Sequence, residues 1–80
     1  MKTVKTEYTI LVPHQRLDSI EANAMKEQFM SLLGKKSNLW IVDMTNVEFI
    51  DSSGLSVLTT GLKTARDHGY RLVICNLNPT

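Results

Sequence analysis

Cysteine is almost missing from this 80-residue chain. The one present, Cys75, can close no internal disulfide and cannot build a zinc cluster alone, which excludes a disulfide-stapled scaffold and fits a reducing compartment. Long apolar runs are missing as well. The start of the chain carries Lys2, Lys5 and Glu7 where a signal peptide needs uninterrupted apolar residues. The longest runs elsewhere fall far short of the roughly 20 residues that cross a bilayer. These absences lead us to expect a soluble, cytoplasmic protein with no membrane partner. Charge of one sign is lacking too: nine basic and eight acidic residues give a net +1, and the basic ones are scattered. No electrostatic footprint for nucleic acid results, so a protein partner is expected. Glycine (four) and proline (two) fall singly, and no linker, repeat or low-complexity tract interrupts the chain.

What is present suits one small folded domain spanning residues 1–80. A hydrophobic content of 42% excludes a wholly disordered chain. Strand-favouring residues run from Val4 to Val12 and stop at Pro13, giving one strand or two short ones with a bend near Glu7. Asp18 or Ser19 can cap a helix, with Glu21 reaching back to complete the cap. Ala22, Met25, Phe29, Leu32 and Leu33 then recur at helical spacing, and Gly34 supplies the stop, so a helix is predicted over Ser19–Leu33. Leu39–Met44 is a nearly continuous apolar run and predicts a central parallel strand buried on both faces.

Thr45–Ile50 reads as a loop anchored by Val47, Phe49 and Ile50. A second helix is predicted from about Gly54 to His68, with Leu55, Leu58, Leu62 and Ala65 as its apolar face and Gly69 as its end. Arg71–Cys75 is a last strand, broken by Asn76–Pro79. Strand, helix, strand, helix, strand implies right-handed crossovers onto a sheet with parallel neighbours. Both helices should cover one face.

The segment that carries chemistry is Val47-Glu48-Phe49-Ile50-Asp51-Ser52-Ser53-Gly54-Leu55. Asp51 and Ser52 stand at the start of a helix, where unpaired amides and the helix dipole favour a negative group. A phosphoryl group on Ser52 would add about −1.5 to −2 charges, which those amides can partly solvate. Modification would then leave the fold standing while changing the surface offered to a partner. Gly54, lacking a side chain, would let that partner approach closely. From spacing alone, an ordinary polar helix cap explains the same residues more simply.

Phe49-Ile50-Asp51-Ser52-Ser53-Gly54-Leu55, preceded by the Ile41-Val42-Asp43 strand, resembles the signature of STAS domains of the anti-sigma factor antagonist type. Arg16-Leu17-Asp18 followed by Ala22 is similar to an earlier segment of that family, so the resemblance spans nearly the whole chain. It implies an α/β fold, a mixed sheet with helices packed mainly on one face. It implies Ser52 as the phosphoacceptor, Asp51 as the neighbouring acid, Ser53 as a small hydroxyl position that is not the acceptor, and Gly54 and Leu55 within the partner-binding stretch. The partners it implies are an anti-sigma factor that is also a serine kinase using ATP, bound by the unmodified protein, and a PP2C-type phosphatase that resets the phosphorylated form. The family usually continues beyond the last strand with further helix and strand. The sequence is therefore expected to be a C-terminally shortened STAS domain whose uncovered surface invites self-association as a homo-oligomer.

The remaining residues suggest no other chemistry. His14, His68 and Cys75 are too dispersed to make a metal site, and surface or capping roles suit the histidines better. Cys75 lies in an apolar strand as a small core residue. No Gly-x-Ser-x-Gly elbow and no glycine-rich phosphate loop occurs, so we expect no enzyme and no cofactor. Met25, Met30 and Met44 read as core fillers, and Trp40 as a packing residue heading its strand. The competing reading is a non-switching STAS scaffold, or a regulatory domain of a transporter assembly, with Ser52 only a cap.

Overall fold

A computed structural model describes residues 1–5 and 8–77 of the chain. The element order is β1 (Lys2–Lys5), β2 (Thr9–Val12), β3 (Arg16–Leu17), α1 (Ser19–Leu32), β4 (Leu39–Asp43), β5 (Phe49–Ile50), α2 (Ser52–Asp67) and β6 (Arg71–Cys75). Four strands form a mixed sheet in the order β1-β2-β4-β6, and β3 pairs with β5 in a separate two-stranded ladder. β1 and β2 are antiparallel, while β4 runs parallel to both β2 and β6. The expected α/β architecture is thus present, with α1 and α2 packed on each other and on one face of the sheet. Among the described residues, no helix is long and apolar enough to cross a membrane.

The core lies between that sheet face and the helices. Leu11, Trp40 and Val42 from the strands meet Met25, Phe29 and Leu32 from α1 and Val57, Leu58 and Ala65 from α2. Trp40 is fully buried, stacked on Phe29 with ring centroids 5.4 Å apart and edge-on to Tyr70 at 5.5 Å. Its role is packing, as expected. Thr9 is buried on the same face, and its hydroxyl donates to Ser37 Oγ at 3.1 Å.

Several expectations need correction. The run from Val4 to Val12 is two strands in a hairpin, and the bend expected near Glu7 lies outside the described residues. β4 is buried on one face only: Trp40 and Val42 point into the core, while Leu39, Ile41 and Asp43 remain half-buried because both helices lie on the other side. Thr45–Ile50 is not wholly a loop, since Phe49 and Ile50 pair in parallel with Arg16 and Leu17. Val47 anchors this stretch as expected, whereas Phe49 is exposed.

α1 follows its predicted face, with Ala22, Met25, Phe29 and Leu32 buried. Met30 departs from it, since its position on the outer face leaves it exposed rather than core-filling. Asp18 caps α1 by accepting from the Ile20 and Glu21 amides, both at 3.1 Å. The Glu21 carboxylate does not close the expected reciprocal box. It turns to His14, accepting from the His14 backbone amide at 2.7 Å and lying 2.8 Å from Nδ1 of the ring. Gly34 and Gly69 adopt the left-handed φ angles of 78° and 75° expected of helix stops. His68 is the C-cap of α2, its Nδ1 2.8 Å from the Thr64 carbonyl. Cys75 is half-buried on the sheet face away from the helices, and so is not part of the core.

Candidate functional site

α2 begins two residues earlier than its periodicity predicts, and this places Asp51, Ser52 and Ser53 with new distinctness. Asp51 is the N-cap: its backbone is extended (φ −100°, ψ −173°) and its carboxylate accepts from the Gly54 amide at 3.0 Å. The first helical bond runs from the Leu55 amide to the Asp51 carbonyl at 3.0 Å. Ser52 is therefore the first residue of the helix rather than its cap. Its side chain is exposed, Ser53 is half-buried and Leu55 is 59% exposed. Among the described residues, the Ser52 and Ser53 amides have no hydrogen-bond acceptor, so two of the helix's orphan donors remain open beside the Ser52 hydroxyl.

What holds this helix end in place is the β3–β5 ladder. The Glu48 and Phe49 amides both donate to the Gln15 carbonyl, at 2.8 and 3.1 Å, and the Asp51 amide donates to the Leu17 carbonyl at 3.4 Å. The Arg16 guanidinium lies 4.4 Å from the centre of the Phe49 ring, a cation–π contact across the same ladder. At the other end of the connection, Asp43 Oδ1 accepts from the Thr45 amide at 3.0 Å and from Asn76 Nδ2 at 2.9 Å. The segment preceding Ser52 is thus tied to the fold along its length.

Gly54 has a different reason from the one the sequence suggests. It is buried, and a Cβ there would collide with the Leu17 carbonyl oxygen and lie 2.9 Å from Ile50 Cγ2 and from Leu17 Cγ. The glycine lets α2 seat against β3 and β5, and its close approach is internal rather than toward a partner. The face of α2 also differs from expectation. Gly54, Val57, Leu58, Gly61 and Ala65 are buried, whereas Leu55 and Leu62 are exposed.

Two open grooves flank the site. One, about 240 Å³, runs between the helices and is bordered by Ser53, Ser56 and Thr60 of α2 and by Ser19, Asn23 and Lys26 of α1. The other, about 750 Å³, lies beside β3 and is bordered by His14, Arg16, Ile20, Glu21, Thr45 and Glu48, among others. The structure brings Asp51, Ser52, Ser53, Gly54 and Leu55 together on the first turn and a half of one helix. Sequence reasoning missed the roles of Gln15, Arg16 and Leu17 in positioning that turn. Arg16-Leu17 was visible as a motif, but two-residue strands leave no periodic signal.

A family model described as the STAS domain matches residues 1–80. No curated protein matches the chain significantly in sequence. Among solved structures, the anti-sigma factor antagonist SpoIIAA in its unphosphorylated form superposes with a TM-score of 0.82 at 16% identity, covering 98% of this chain and 72% of that one. A protein designated Mglu superposes with a TM-score of 0.85 at 14% identity, covering 98% of this chain. The chain spans only 20% of the length of Mglu, so the fold there is one part of a larger polypeptide. At such identities the two superpositions speak for the fold alone, the SpoIIAA one agreeing with the mixed sheet and its two helices. The family match covers the full length, and the chain belongs to the STAS domain family.

Proposed function

We propose that the chain is a regulatory binding protein of the anti-sigma factor antagonist kind, switched by phosphorylation of Ser52. The observation that carries this reading is the placement of Ser52: exposed, first in α2, and beside two open amides. A phosphoryl group there is partly solvated by those amides and the helix dipole, so the fold tolerates it. Docking does not. A partner seated over the first turn of α2 would have to desolvate a dianion next to the Asp51 carboxylate, at a cost of several kcal/mol. Even about 3 kcal/mol lowers affinity roughly a hundredfold. Exposed Leu55, one turn along from Asp51, supplies apolar contact surface beside the switch.

In this reading the unmodified chain binds an anti-sigma factor with serine kinase activity in the cytoplasm, the phosphorylated chain is released, and a PP2C-type phosphatase restores it. The chain itself catalyses nothing. The alternative, a scaffold or regulatory domain within a larger assembly, has one observation in its favour, the presence of this fold as a fifth of Mglu. Incubation with the cognate kinase and ATP, followed by mass spectrometric mapping, separates the two readings. Phosphate on Ser52, with partner binding lost in Ser52→Asp and retained in Ser52→Ala, supports the switch. Phosphate elsewhere, or binding indifferent to Ser52→Asp, refutes it.

A further inference from the structure

Burying a charge is costly unless that charge is hydrogen-bonded, and among the described residues Glu21 is the charged residue that the fold buries, at 8% exposed. It stands in the first turn of α1, where the helix dipole favours an acid and where Asp18 fixes its backbone by accepting from its amide. The side chain reaches away from the helix. Its Oε2 accepts from the His14 backbone amide at 2.7 Å and lies 2.8 Å from Nδ1 of a His14 side chain that is 71% exposed. A hydrogen bond from a backbone amide to a carboxylate is roughly twice as strong as a neutral one. With the ring largely in solvent, the amide bond is the firmer of the two contacts.

What that bond holds is the segment His14-Gln15-Arg16. All three residues are exposed, between fully buried Pro13 and Leu17, so no buried side chain fixes the backbone between those two. Yet this segment carries the supports of the Ser52 turn. The Gln15 carbonyl accepts from the Glu48 and Phe49 amides, and Arg16 and Leu17 pair with Phe49 and Ile50. The Leu17 carbonyl then accepts from the Asp51 amide, one residue before Ser52, at 3.4 Å. That length makes the last bond a weak one, so the placement of Asp51 leans on the ladder before it. A peptide plane turned at residue 14 or 15 would swing the Gln15 carbonyl off both of its donors.

We propose that Glu21 is a positioning residue for the Ser52 turn: by gripping the His14 amide it sets the Gln15 carbonyl, and with it β5 and the Asp51 cap from which α2 begins. The tether runs from the first turn of one helix to the first turn of the other, through chain whose side chains give it no other anchor in the core. Its geometric role stands on the bonds alone. Its consequence for phosphoryl transfer rests on the reading of Ser52 as the phosphoacceptor, because a kinase must find that hydroxyl in one defined place and a loosened turn offers it in several. Glu21 acts through this tether rather than on the hydroxyl itself.

Nitrogen-15 relaxation of the intact chain tests the tether in the folded state, without any partner, and a mere loss of global stability leaves it unmoved. In the parent the backbone amides of Gln15, Arg16, Glu48 and Phe49 should show order parameters of about 0.85, as rigid backbone does. In Glu21→Ala they should fall below about 0.6, while that of Val42, in the interior strand β4, stays as it was. Glu21 borders the open groove beside β3, so water reaches the freed His14 amide and the variant should fold, which circular dichroism checks. Should it not fold, Glu21→Asp takes its place, since it keeps the charge but draws the oxygens back by one methylene. Glu21→Gln keeps an acceptor oxygen at full reach and should restore the parent values. With the cognate kinase, kcat/KM for phosphorylation of Ser52 should fall at least about fivefold in Glu21→Ala and recover in Glu21→Gln. Order parameters that do not differ between parent and Glu21→Ala, that fall equally at Val42, or that Glu21→Gln fails to restore overturn the proposal, as does a loosened segment with phosphorylation of Ser52 unaltered. A parent chain that takes no phosphate on Ser52 refutes the switch alone, and the order parameters still decide the tether.

Discussion

Replacing Gly54 by alanine sets two effects of opposite sign against each other at the base of the candidate switch. In an exposed helix, Gly→Ala gains about 1 kcal/mol from propensity. Here the added Cβ would collide with the Leu17 carbonyl oxygen and crowd Ile50 Cγ2 and Leu17 Cγ at 2.9 Å. The carbonyl cannot swing aside cheaply, because it accepts from the Asp51 amide and belongs to β3, which is registered on β5. Leu17 is also fully buried, so α2 must lift and open space in the core. Overpacking against backbone of this kind costs about 1–3 kcal/mol, and the lost contact of α2 with β3 and β5 takes it to the top of that range. The net expectation is a destabilisation of about 2 kcal/mol. At about 2.1 cal/mol/K of unfolding entropy per residue, that lowers the melting temperature of a chain this size by about 12 °C. Urea titration followed by tryptophan fluorescence measures it as a lower midpoint with an unchanged slope. A variant as stable as the parent, or more so, would show that propensity dominates and that α2 is not seated by close approach at Gly54.

Gly61→Ala should also destabilise, by about 1–2 kcal/mol, since its Cβ would sit 2.8 Å from Phe29 Cζ, and the near-ultraviolet signal of Trp40 should change because Phe29 stacks on that indole. Asp51→Ala removes the N-cap of α2 and should cost about 1 kcal/mol in a denaturation assay, whereas Ser52→Ala should change stability by less than about 0.5 kcal/mol because Ser52 caps nothing. Equal costs at the two positions would contradict the assignment of Asp51 as the cap.

The order of elements and the layering were legible in the sequence, because helices and strands of ordinary length leave hydrophobic periods of their own. α1 is the clearest case, its four buried positions recurring at helical spacing. The buried stripe of α2 was misjudged for a definite reason. Two of its five members are Gly54 and Gly61, and a count of apolar side chains passes over residues that have none. Leu55 and Leu62 are apolar and correctly spaced from each other, yet they stand on the flank. The continuous run in β4 suggested burial on both faces, but both helices pack on the same one, and half-buried Ile41 lies on the other. β3 and β5 escaped notice because two residues carry no period, and their pairing joins distant parts of the chain. That pairing sets the seat of α2, so the chemistry of the Asp51–Leu55 segment could be read locally while its positioning could not.

α2 therefore presents separate surfaces for separate tasks. Its glycine stripe seats it on β3, β5 and α1, its hydroxyl-bearing flank borders the groove shared with α1, its leucine flank is exposed, and its first residue presents the Ser52 hydroxyl. At about 100° per residue, Ser52 stands roughly 60° to 80° round the helix from Leu55 and Leu62 and, at about 1.5 Å of rise per residue, some 15 Å along the axis from Leu62. Beyond a Debye length of about 8–10 Å, an exposed charge is largely screened at physiological salt. A negative charge should then be felt by a partner docking on the first turn of α2 when it stands at Ser52, and hardly at all when it stands at Leu62. Ser52→Asp is accordingly expected to abolish binding of a partner docked on that turn, whereas the same charge placed at Leu62 should change its dissociation constant by less than about threefold, measured by isothermal titration in one buffer. A larger loss from the charge at Leu62 would mean that the docking surface extends along the leucine flank, and the division of labour around α2 would have to be abandoned.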